Sequence, residues 1–294
     1  MIDSSRIGCA IYVPGMSSYT LEPFVVDDKW FLHHLTTENL FIPFVLPDGW
    51  KDTWDEDPTS LSGDTASFDE AVMLANCISY DHEVPTVVQP FADGRAPSYD
   101  AVGFPRKWID PGKSYAEALI TASEAAVDVR FTDCLRFRYS DDSLNEFGGR
   151  FQGKAEPLAM YGMALRQVDL LAEYLCLYRI CEWADGVNGK KFINNNVDAI
   201  AGHDFGELWL EHLTLERERP KRNVFEEYQE RAVGRLEALR TGGEEDIGKY
   251  LYGFRNGLAH GKSDLLVQDF GASVDRVAQE LPLLRLLCRL AIAG

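Results

Sequence analysis

Arg255, Asn256 and His260 are the side chains with the strongest claim on chemistry in this 294-residue chain. They stand in KYLYGFRNGLAHGKSD, residues 249–264. An arginine keeps its charge at every working pH and offers a planar fork to two oxygens of a phosphate. A histidine titrates near neutrality and suits proton transfer to or from a reacting oxygen. The amide at Asn256 can orient the imidazole or donate to the same anion. The bare spacing of arginine and histidine is uninformative, since about one such match arises by chance in this composition. A polar residue directly after the arginine keeps only about one match in seven.

Helix geometry limits what the three can do together. Positions five apart diverge by ~140°, so Arg255 and His260 do not meet on one regular face. Asn256 and His260, four apart, share one. Gly257 and Gly261 weaken the helix on both sides of His260, which could bend or end it and swing the arginine inward.

The surrounding elements follow from periodicity. The first half reads as strands, "IGCAIYVPG", "KWFLHHL", "LFIPFVLPDG" and "VPTVVQPF", with the clearest alternation over 129–139. Between them "SFDEAVMLANCISY" has helical spacing behind a Ser67 and Glu70 capping box. The polar, glycine-rich stretch 140–157 marks a domain boundary. Beyond it the period becomes helical. One long helix is expected from Leu158 to about Trp183, and "DGVNGKKFINNN" is expected as a break. "DFGELWLEHLTLERER" reads as a second helix and "NVFEEYQERAVGRLEALR" as a third that stops at Gly242 and Gly243. A fourth begins near Glu244 and carries the motif, and a last begins near Gly271. The expected fold class is α+β: a β-rich mixed domain over 1–150, then an all-α antiparallel bundle over 151–294.

Within that bundle the run Arg255-Asn256-Gly257-Leu258-Ala259-His260, placed just before the last long helix, resembles the motif of the HEPN superfamily. Ribonuclease members of that superfamily carry Arg-x4-6-His, with a polar residue after the arginine, in a helical bundle. The resemblance covers roughly residues 155–294 and names nothing in the first half. It implies metal-independent RNA cleavage by attack of the 2′-hydroxyl on the adjacent phosphate, with no cofactor. Arg255, Asn256 and His260 are its expected catalytic residues, and DNA, lacking the hydroxyl, resists. It also implies a homodimer in which two copies of the motif face each other. By fold-level analogy it suggests a toxin or defence role, with the first domain sensing a trigger and an inhibitory or activating partner in play. Gly261 and Lys262 follow His260 where antitoxin-modified relatives have His-x-Tyr, so modification of such a tyrosine is not expected.

Lys249 and Lys262 flank the motif, and Arg217, Arg219, Lys221 and Arg222 form a basic run in the same bundle. These are the candidate RNA-backbone contacts, although a charged run between helices is more often simply solvated. The formal charge of −18 argues against general nucleic-acid affinity and confines any RNA site to a local basic pocket. Most of that acidity falls in residues 1–150. The rival reading is a non-catalytic protein whose bundle dimerises and whose acidic domain engages a protein or small ligand.

Six scattered cysteines without a CxxC pair fit reduced thiols and a cytosolic compartment. The N-terminal run is too short for a signal peptide, and Arg285 and Arg289 interrupt the apolar C-terminal run, so no membrane segment is expected. No metal is expected either. His203, Glu207 and Glu211 lie at helical spacing but lack a fourth ligand, and His33 and His34, adjacent in a strand, point to opposite faces. The acidic stretch 50–64 lacks the spacing of a calcium loop. Tyr250, Tyr252 and Phe254 are expected in core and interface, and no GxSxG, P-loop, GxGxxG or HExxH occurs.

Overall fold

The structure is a computed structural model that describes residues 7–12, 24–26, 29–37, 40–45, 64–83, 85–92, 133–134, 153–167, 169–212, 222–260 and 270–294. Two compact units emerge, Met1–Gly103 with Asp133–Gly162, and Phe104–Thr132 with Met163–Gly294.

In the first unit the backbone runs through β1 (Ile7–Tyr12), β2 (Phe24–Val26), β3 (Lys29–Thr37), β4 (Leu40–Val45), β5 (Asp64–Thr65), helix α1 (Phe68–His82) and β6 (Val87–Ala92). The strands pair antiparallel in the order β2-β3-β4-β1-β6, with β5 on β4. α1 starts where the sequence says it should. Ser67 and Glu70 bond each other's backbone N–H groups, closing the capping box. Its apolar face, Ala71, Leu74, Ala75 and Cys77, is buried. Beyond a two-residue strand β7 (Asp133–Cys134) comes helix α2 (Ala155–Leu165), whose Tyr161 hydroxyl donates to the buried Glu83 carboxylate.

The second unit holds α3 (Leu170–Asp185), α4 (Lys190–Asn196), a 3₁₀ turn at Val197–Gly202, strands β8 (Trp209–His212) and β9 (Arg222–Asn223), then α5 (Val224–Thr241), α6 (Ile247–His260) and α7 (Phe270–Ala293). α7 packs on α3 and α5, and α6 on α4 and α3. Leu281, Leu283, Leu284, Leu286, Leu287 and Cys288 are all buried, so α7 is surrounded rather than amphipathic over its second half. The two arginines of that second half, Arg285 and Arg289, are accommodated individually. Arg285 pairs with Glu173, which is fully buried on α3, and donates to the Tyr228 hydroxyl at 3.1 Å. Arg289 lies 4.1 Å over the Phe225 ring. Among the described residues no helix is long and apolar enough to cross a membrane.

The expected fold class is corrected. Where side chains are described, 77% of residues are helical and 4% are in strands, so the described side chains belong to a predominantly helical chain and the expected β-rich character rests on the backbone pairing of β1–β6 alone. Most of the alternating segment 129–139 lies outside the described residues, which give a strand only at Asp133–Cys134. The second unit is not purely helical either. β8 stands where a second helix was expected and pairs antiparallel with β9, Trp209 opposite Asn223. Two helix boundaries also move. The long helix from Leu158 is broken between Leu165 and Leu170, because the Asp169 carboxylate takes the Leu171 N–H at 2.8 Å and starts α3 afresh. The expected break at 185–196 holds the short helix α4, admitted by Gly189 at φ 78°.

Removing one partner of the Glu173–Arg285 pair strands a charge in the core. Arg285→Ala should lower stability by roughly 3–5 kcal/mol. Urea unfolding followed by circular dichroism would measure it, and a midpoint equal to wild type would show the pair to be dispensable.

Candidate functional site

The motif helix α6 is positioned from its N-terminal end. Asp246 caps it, its Oδ1 accepting the Lys249 N–H at 2.8 Å while its carbonyl accepts Tyr250 N–H at 3.0 Å. Asn194 of α4 braces that cap from the other side, donating to Asp246 Oδ1 at 2.8 Å and accepting the Gly248 N–H at 2.7 Å. The Asn194 hydrogen bond and the Lys249 amide hold the Asp246 carboxyl below its ordinary value. Gly248 is needed for the approach, since a Cβ there would fall 2.4 Å from the Lys190 carbonyl oxygen.

One side of α6 is core: Ile247, Leu251, Phe254 and Leu258 recur at three- and four-residue steps and are buried. Phe254 meets Tyr174 edge-on at 5.2 Å, and Tyr174 donates to the Leu251 carbonyl at 3.0 Å. Tyr250, half-buried, belongs to a separate polar cluster around the buried Glu280. Its hydroxyl donates to Glu280 Oε1 at 2.9 Å, and the Arg235 guanidinium bonds both. Burial first, and then the Glu280 charge, push the Tyr250 phenol up. Glu280 itself is fully buried, and its Oε2 has no hydrogen-bond partner among the described residues.

The other side of α6 faces outward and carries the motif. Arg255 and Asn256 are half-buried, while Lys249, Ala259 and His260 are exposed. Arg255 Nη1 donates to Asn256 Oδ1 at 3.1 Å. Arg255 Nη2 lies 3.1 Å from Glu182 Oε1 of α3, with the two side chains 25% and 22% exposed. His260 is the last residue of α6, and the helix runs through Gly257 without ending there. Regular geometry therefore leaves ~140° between the arginine and the imidazole, with Asn256 between them. Tyr252 lies on the same outward side, the Lys190 ammonium 4.9 Å from its ring centroid and Tyr178 at 6.4 Å.

Among the remaining candidates, Arg222 stands on β9. Arg217, Arg219, Lys221 and Lys262 lie outside the described residues. His203 and Glu207 fall in irregular chain and Glu211 on β8, so the three share no helical face. Among the described residues no group of three or more His, Cys, Asp or Glu is placed to hold a metal ion. Sequence reasoning missed Glu182. Its pairing with Arg255 joins distant helices, and nothing in local spacing signals it.

Residues 157–293 match the family model described as Methylamine utilization protein MauJ. No curated protein matches the chain, and no solved structure matches it.

Two substitutions test how α6 is placed. Gly248→Ala should cost about 1–3 kcal/mol through overpacking against the α4 backbone. Asp246→Ala should cost about 1 kcal/mol at neutral pH through loss of the cap. Because the folded carboxyl titrates below 3.8, that contribution is present above pH 3.8 and is lost as the pH falls through the folded value. Stability curves for wild type and Asp246→Ala should therefore converge in acid, and a gap that stays constant to pH 2 would rule the cap charge out.

Proposed function

We propose that the helical region is an RNA-cleaving module of HEPN type, acting as a homodimer without a metal. The observation that carries this reading is the outward face of α6, where the bonded Arg255 and Asn256 side chains stand beside an exposed terminal His260. In this reading the arginine fork binds the scissile phosphate, and its fixed charge stabilises the anion as the ribose 2′-hydroxyl attacks. A histidine accepts the hydroxyl proton or delivers one to the departing 5′-oxygen. The products are a 2′,3′-cyclic phosphate and a 5′-hydroxyl.

The ~140° spread within one helix argues for a shared cleft, the arginine of one copy serving alongside the histidine of the other. Lys249 and the basic residues Arg217, Arg219, Lys221, Arg222 and Lys262 would then contact the RNA backbone. The first unit would act as a sensor or brake, answering to a trigger or a partner protein.

A second reading draws on the matched family, whose description ties it to methylamine utilization. There the bundle is a non-catalytic binding or dimerisation element. The Arg255–Glu182 pair favours it, because the charge that a phosphate would use is already met by a carboxylate.

Labelled single-stranded RNA incubated with the protein in EDTA separates the two. Wild type should release products ending in cyclic phosphate, and His260→Ala and Arg255→Ala should each lose ~100-fold or more in rate. DNA of the same sequence should survive. Cleavage by both variants at the wild-type rate would remove the site. A monomer by light scattering at micromolar concentration would remove the shared cleft.

A further inference from the structure

We infer that Glu182 is the positioning residue of this site: through Arg255 it fixes which way the Asn256 amide faces. The inference rests on reading Arg255, Asn256 and His260 as one anion-processing site, but its first test does not require cleavage.

Side chains one residue apart on a helix do not ordinarily face each other. Arg255 nevertheless reaches Asn256 Oδ1 with Nη1, and its Nη2 is held by Glu182. A guanidinium is a rigid plane, so anchoring one nitrogen on another helix aims the second. Once the Asn256 oxygen is turned to the arginine, its NH2 is turned away from it. Asn256 and His260 share a face, so those donors are presented on the side where the imidazole stands. They suit a phosphate oxygen or the acceptor nitrogen of a neutral imidazole.

The anchor is itself held firmly. Glu182 sits in the last turn of α3, which Gly186 closes in the left-handed region at φ 72°, its N–H bonded to the Glu182 carbonyl at 2.9 Å. Asp185 tightens the same turn by accepting the N–H groups of Val187 at 2.9 Å and Asn188 at 3.0 Å. Burial alone would raise the Asp185 carboxyl, yet the amides of Gly189, Val187 and Asn188 hold it down. Acidic side chains in a final turn oppose the helix dipole, and α3 has no basic residue there. The Glu182 carboxylate therefore gains nothing from the dipole of its own helix, and its described partner is Arg255.

The test compares Glu182→Ala with Glu182→Gln in the full chain, since glutamine still offers an oxygen to Arg255. In nitrogen-15 spectra the Asn256 side-chain amide pair, identified by its loss in Asn256→Ala, should move toward free-amide positions in Glu182→Ala and stay near wild type in Glu182→Gln. An unmoved pair in Glu182→Ala overturns the inference. On labelled RNA, Glu182→Ala should lose roughly tenfold in kcat with no rise in KM, because the arginine is freed from a competing carboxylate but no longer aimed. Glu182→Gln should recover most of that loss. A rise in KM alone, or equal losses in the two variants, also overturns the inference. If wild type leaves RNA intact while the amide responds as expected, the nuclease reading falls and the Glu182–Arg255–Asn256 linkage stands.

Discussion

A charge carried into the enclosed part of a helix needs a partner, and the buried Glu280 and Arg285 of α7 find theirs on two neighbouring helices. Glu173 of α3 meets Arg285, and Arg235 of α5 meets Glu280. Each pair is costly to desolvate and punishing to break, so the arrangement specifies more than it stabilises. Because the partners lie on different helices and on different turns of α7, only one register of the three helices satisfies both. That register sets the floor on which α6 rests, through Tyr250 against Glu280 and Arg235 and through Phe254 against Tyr174.

Above that floor the chemistry is divided by depth. The aromatic and aliphatic residues of α6 alternate with its polar ones so that the hydroxyl of Tyr250 is spent on the interior, whereas Arg255, Asn256 and His260 remain at the margin with water. Phe254, its face to the Arg276 guanidinium at 5.8 Å, separates the two layers. A single helix therefore presents a packed face and an outward polar face from residues that its sequence interleaves.

How much of this was legible depends on the range over which each signal acts. The Ser67 box, the end of α5 at Gly242, and the start of the motif helix just beyond Glu244 are written in neighbouring residues, and they read correctly. The break before Asp169 was hidden because the apolar spacing continues in phase across it, although an aspartate suited to capping was there to be noticed. β8 was mistaken for helix because Trp209, Leu210 and their polar neighbours fit either period over so short a run. Of the candidate site, the three residues were proposed from their types and spacing. Their splay around α6 followed from helix geometry, but Glu182, Asn194 and Lys190 enter only when separate helices are brought side by side.

The contact at Gly248 has a reach beyond its own turn. Where main chain lies against main chain there is no compressible side chain between them, so the orientation of α6 about its long axis is dictated at its first turn and carried rigidly to its last. The azimuth of His260 is thus governed by a residue three turns away that has no functional group at all.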